Sequence, residues 1–193
     1  MSNFLFHQPP VITKTYISDD NNAYTKTYNN TFPFKVMKKK EIDYYIYIDY
    51  SKNLIGYSII ERGKIKELLP KISKLEHYKN LKYKNQYISS MKKRFKKENI
   101  KDLLLEWKIK EMRLNLDIFI DVAEFIKKKD NCIIFISVDD NQYKSFMKFF
   151  ELVPHQKHII IIKESNLKKG SVEYKLSLII DTLLNIERRK LNE

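Results

Sequence analysis

From Ile42 onward short apolar runs alternate with longer amphipathic stretches, whereas the residues before it show no regular pattern. Tyr44-Tyr45-Ile46-Tyr47-Ile48 is aromatic and β-branched, which predicts a strand from Ile42 to Asp49. Leu54 to Glu61 predicts a second strand, Arg62-Gly63 a turn, and Lys64 to Leu69 a third strand stopped by Pro70. Short connections make these three an antiparallel meander. Residues 71–128 read as helical with a break near Glu98-Asn99. Cys132 to Val138 is a fourth strand, and a short helix follows from about Asn141 to Leu152. His158 to Lys163 is nearly all apolar, as in a strand covered on both faces. After Gly170-Ser171 a last amphipathic helix runs from about Val172 to Lys190.

The order β-β-β-α-β-α-β-α predicts an α/β fold with a mixed five-stranded sheet. Three strands form the antiparallel meander and two run parallel, with helices on the faces. Right-handed crossovers make the first strand central and place the fourth beside it. Their C-terminal ends then bring Asp49 and Asp140 together.

Residues 1–40 hold turn formers (Asp19-Asp20-Asn21-Asn22, Asn29-Asn30), Pro9-Pro10, Pro33 and the run Lys38-Lys39-Lys40. They read as an irregular arm ahead of a domain over 41–193. The arm's aromatics, among them Phe4, Phe6, Tyr16, Tyr24 and Phe34, suit docking on the core or on a protein partner.

A strand-terminal acid is costly to bury unless something positive meets it. Asp49 ends one strand and Asp139-Asp140 another, on a chain of 193 residues with a formal net charge of +13. That combination points to divalent metal chemistry on an anionic, phosphate-bearing partner. The single cysteine, Cys132, excludes an intramolecular disulfide and any multi-cysteine zinc module. His7, His77, His155 and His158 lack ligand-like companions. No apolar run approaches the roughly 20 residues of a membrane span, so no membrane partner and an intracellular location are expected.

At this point the chain resembles the ribonuclease H-like superfamily, and ribonuclease H most closely. The resemblance lies in Asp49-Tyr50-Ser51, in Ile55-Gly56-Tyr57-Ser58-Ile59-Ile60, in Asp140-Asn141-Gln142-Tyr143 and in Asp181-Thr182-Leu183-Leu184. It implies four carboxylates holding two Mg²⁺ or Mn²⁺ ions: Asp49, Asp140, Asp181 and a glutamate on the first core helix. Glu111 is the choice for that glutamate, because it extends the stripe Leu114, Ile118, Val122 and Phe125. Simpler readings stand beside these. Glu111 at a fraying helix end, Asp181 on a solvated face, and Asp140 as a helix cap with Asp139 as the ligand each fit the pattern. Lys168-Lys169-Gly170 occupies the loop where the family's hydrolases place a histidine.

Residues 71–110 carry thirteen Lys and Arg against four acids, interleaved with Tyr78, Tyr83, Tyr87, Phe95 and Trp107. A basic helical insertion that grips nucleic acid through Lys92, Lys93, Arg94, Lys96 and Lys97 is one reading, and a solvated helix is the other. The expected function is a metal-dependent nuclease acting on an RNA–DNA hybrid or branched DNA. A catalytically degenerate nucleic-acid-binding or assembly module is the alternative.

Overall fold

The computed structural model describes residues 14–17, 23–26, 41–137, 139–152 and 159–191, with Asp140 and Asn141 described in backbone only. Contacts divide the chain into two units, Met1–Lys39 and Lys40–Glu193. In the first, β1 (Lys14–Ile17) and β2 (Ala23–Lys26) pair antiparallel, with Tyr16 opposite Tyr24. Part of the expected irregular arm is therefore a hairpin. Its short Thr- and Tyr-containing runs carry β-propensity, and the Asp19–Asn22 turn formers lie between them. The other aromatics proposed for docking, such as Phe4, Phe6 and Phe34, lie outside the described residues.

The second unit holds a five-stranded mixed sheet in the order β5-β4-β3-β6-β7. Its strands are β3 (Tyr44–Ser51), β4 (Leu54–Glu61), β5 (Glu106–Glu111), β6 (Cys132–Ser137) and β7 (Ile159–Lys163). β4 runs antiparallel to both β3 and β5, while β6 pairs parallel with β3 and with β7. Lys52, in the left-handed region at φ 55°, turns β3 directly into β4. As expected, β3 is central with β6 at its side.

The third strand is not where the apolar pattern put it. Lys64 to Leu69 belongs to a 3₁₀ turn and helix α1 (Ile65–Lys71), with Pro70 in its last turn. Ile65, Leu68, Leu69 and Ile72 recur at helical spacing and pack on one core. The strand is β5, inside the segment read as helix. Glu106-Trp107-Lys108-Ile109-Lys110-Glu111 alternates with period two. Trp107 and Ile109 turn to the core. Lys108 and Lys110 reach Asp121 and Asp117 at 2.7 and 2.5 Å on helix α3 (Asn115–Lys128).

Helix α2 (Lys84–Lys97) precedes β5 and ends near the expected break, where Asn99 is left-handed at φ 50°. Helices α4 (Asp140–Glu151) and α5 (Val172–Lys190) follow β6 and β7. α1, α2 and α5 cover one face of the sheet, packing on Tyr47, Ile60, Ile133 and Phe135. α3 and α4 cover the other, on Ile46, Ile48, Tyr57 and Ile134. Strand alternation thus puts Asp49 on the α5 face, two residues from Tyr47. No helix among the described residues is long and apolar enough to cross a membrane.

Candidate functional site

Asp49 is the third-last residue of β3, paired with Gly56 on β4 and with Ser137 on β6. Only 8% of it is exposed. Its Oδ1 accepts the Tyr50 N–H at 2.7 Å, and the Ser137 hydroxyl also bonds to it. Burial drives its carboxyl well above the usual range, and the charges of Glu164 and Asp181 push it further.

Asp181 arrives from α5 and is 6% exposed. Its Oδ2 accepts the Tyr78 N–H at 2.9 Å, with His77 Nδ1 at 3.8 Å, and its Oδ1 accepts Asn185 Nδ2 at 3.0 Å. Burial raises its pKa as well, opposed by the Tyr78 N–H, His77 and Asn185 and reinforced by Glu164. The solvated-face reading of Asp181 is thereby excluded. Opposite Asp49, Gly56 lies where β4 is crowded by β5 and by the helix that carries Asp181. A Cβ there would lie 2.8 Å from the Lys108 carbonyl oxygen and 3.2 Å from Ile180 Cδ1.

The other expected carboxylates are placed differently. Glu111 is the last residue of β5, exposed and paired with Arg113 at 2.6 Å. It lies off the α3 stripe because the helix begins only at Asn115, and Leu114 on that presumed stripe is 41% exposed. Asp139 is the cap of α4, its Oδ1 accepting the Gln142 N–H at 2.8 Å, and it also lines the cleft shared by Asp49 and Asp181. Asp140 opens α4, but its side chain lies outside the described residues. Two residues missed from sequence act on this site. Glu164 follows β7 directly and is near enough to raise both aspartates. An acid at the end of a parallel apolar strand is the signal that singled out Asp49, and it applies equally to Glu164. His77, dismissed for want of companions, finds one in Asp181.

The two aspartates form the floor of a cleft of about 470 Å³, with Lys52, Lys79, Lys84 and Arg188 among its walls. Arg188 Nη1 donates to Ser51 Oγ at 2.8 Å, and Ser51 Oγ donates to Asn185 Oδ1 at 3.3 Å. Tyr78 lies between two cations, with Lys84 Nζ 5.2 Å and Arg188 Cζ 4.7 Å from its ring centroid. Four cations thus line the cleft above the two buried acids, together with the exposed Asp139.

Of the five cations expected to grip nucleic acid, Lys92, Lys93, Lys96 and Lys97 are exposed on α2. Arg94 instead caps α1. Its Nε donates to the Lys71 carbonyl at 2.7 Å, satisfying an otherwise unpartnered helix-end oxygen. At 1.5 Å per residue, Lys97 stands about 20 Å along the axis from Lys84 at the cleft.

Among the described residues no three His, Cys, Asp or Glu side chains make a group able to hold a metal ion. No family model matches the chain, and no curated protein matches it. What the site offers by itself is two buried carboxylates, a third acid beside them, and a cationic mouth.

Proposed function

We propose that the chain is a ribonuclease H-like, metal-dependent nuclease that hydrolyses phosphodiester bonds in structured nucleic acid, an RNA–DNA hybrid or branched DNA. The observation that carries this reading is the convergence of Asp49 and Asp181, buried at the end of the central strand beneath Lys52, Lys79, Lys84 and Arg188. Sheet order and element order support the fold assignment.

The donor set suits Mg²⁺ or Mn²⁺. Carboxylate oxygens are hard ligands, and two acids whose carboxyls burial pushes up, Asp49 further raised by the charge of Asp181, gain from a cation between them. Asp49 and Asp181 would hold it, with Glu164 and Asp140 as the further candidates. When bound, divalent ions supply water activation and stabilisation of the leaving oxygen. The chain's own residues do the rest. The Tyr78 and Tyr50 N–H groups and Asn185 fix the carboxylate rotamers. Lys52, Lys79, Lys84 and Arg188 attract and orient the phosphate backbone, and the Ser51–Asn185 link ties Arg188 to Asp181.

A second reading, a catalytically degenerate nucleic-acid-binding or assembly module, draws on a specific observation. Asp181 already accepts two hydrogen bonds, and no third described ligand completes the pair. Incubating labelled hybrid, duplex and junction substrates with and without Mg²⁺ or Mn²⁺ separates the two. Metal-dependent cleavage that Asp49→Asn abolishes supports the nuclease. Binding with no cleavage under any metal supports the module.

A further inference from the structure

We infer that the seam between α2 and α5 is a second phosphate site, for a backbone phosphate remote from the carboxylates. The inference rests on the nucleic-acid reading above and extends it. The seam is a depression of about 60 Å³ whose lining includes Ser89, Lys92, Arg189 and Lys190. Arg189 is held in place by α2: its Nη1 donates to the Asn85 carbonyl at 2.8 Å and to Ser89 Oγ at 2.9 Å. Ser89 Oγ thereby helps to orient the guanidinium over the depression. Lys190 Nζ bonds Glu187 at 2.7 and 3.0 Å, which leaves the exposed Lys92 and the guanidinium positioned on α2 as the cations facing the depression.

The geometry links this site to the cleft. Arg188 faces Asp181's surroundings and the next residue, Arg189, faces the seam. Lys84 and Lys92 lie on the same helix, about 12 Å apart along its axis. A duplex strand advances 3.4 Å per nucleotide, so the seam meets a phosphate about three to four steps from the cleft. A mononucleotide cannot reach both. The substrate this arrangement fits is a double-helical arm laid along α2.

The test is anisotropy of a labelled duplex against salt, in EDTA so that binding is read apart from cleavage. Lys92→Gln/Lys190→Gln should flatten the slope of log K against log salt by about one unit and weaken binding several-fold. Lys92→Gln alone, which leaves the Lys190–Glu187 pair intact, should show part of the same change. Lys127→Gln/Lys128→Gln removes equal charge from α3, on the other face of the sheet, and should match wild type. A seam variant indistinguishable from wild type, or a control that falls as far, overturns the inference. Wild-type cleavage in Mg²⁺ is scored separately. A protein that binds through the seam but never cleaves retires the nuclease reading and leaves the site standing.

Discussion

Gly56 stands directly across the β3–β4 ladder from Asp49, and β5 packs so closely on its other side that a Cβ there would lie 2.8 Å from both the Lys108 carbonyl oxygen and Ile109 Cγ1. Ile180 Cδ1 of α5 would lie 3.2 Å away, on the same face. Gly56→Ala puts a methyl group 2.8 Å from the Lys108 carbonyl oxygen and from Ile109 Cγ1. Overpacking of this kind costs about 1–3 kcal/mol. Denaturant unfolding should show the loss, and an unchanged midpoint would mean that β5 gives way to the methyl group without cost.

Asp49→Asn is isosteric and removes a charge that burial and two neighbouring acids disfavour. The metal-free variant should unfold at higher temperature than wild type at neutral pH, while cleavage is lost. A variant of lower melting temperature with full cleavage would contradict both halves of the site's electrostatics.

The raised pKa values of Asp49 and Asp181 set a direction for pH. Each folded-state pKa exceeds its unfolded value, so the native state binds more protons between the two. The stability these acids contribute is fully present below the unfolded carboxylate pKa of about 4 and is lost as pH rises through the folded values. Metal-free melting temperature should therefore decline with rising pH above about 4. The decline should be shallower in Asp49→Asn, and millimolar Mg²⁺ should restore wild type by mass action. A wild-type curve parallel to that of Asp49→Asn would remove the coupling.

Arg94 is a structural cation. Arg94→Gln frees the Lys71 carbonyl at the end of α1 and should cost about 1–2 kcal/mol in urea unfolding. Its salt slope for duplex binding should equal that of wild type. A flattened slope with unchanged stability would return Arg94 to the nucleic-acid interface.

At the cleft, Lys79→Gln/Lys84→Gln should raise KM more than it lowers kcat, since neither lysine touches the carboxylates. The salt slope should flatten by about one unit for each phosphate contact removed. A pure kcat loss would mean these lysines act on the transition state alone.

The sequence by itself determined the sheet's centre and the acid upon it. Tyr44 to Asp49, Leu54 to Glu61 and Cys132 to Ser137 are uniform apolar runs with short or helical connections. Local propensity and crossover handedness therefore sufficed to make β3 central and β6 its neighbour. The third strand was also written in the chain, as the strict alternation of Glu106 to Glu111. It was masked because α2 and α3 flank it closely and its polar half is lysine, a good helix former. Only tertiary structure decided which acids meet. Asp181 and His77 stand on helix and turn surfaces whose patterns also fit solvent exposure, and they become a site only when α5 packs on the central strands and the Tyr78 N–H turns toward the same carboxylate. Glu111 failed for the converse reason: its place on a helical stripe vanished once the backbone there was extended. Local pattern reports which face a residue takes within its own element. Convergence of distant carboxylates depends on how closely two elements approach, and that distance is set by packing.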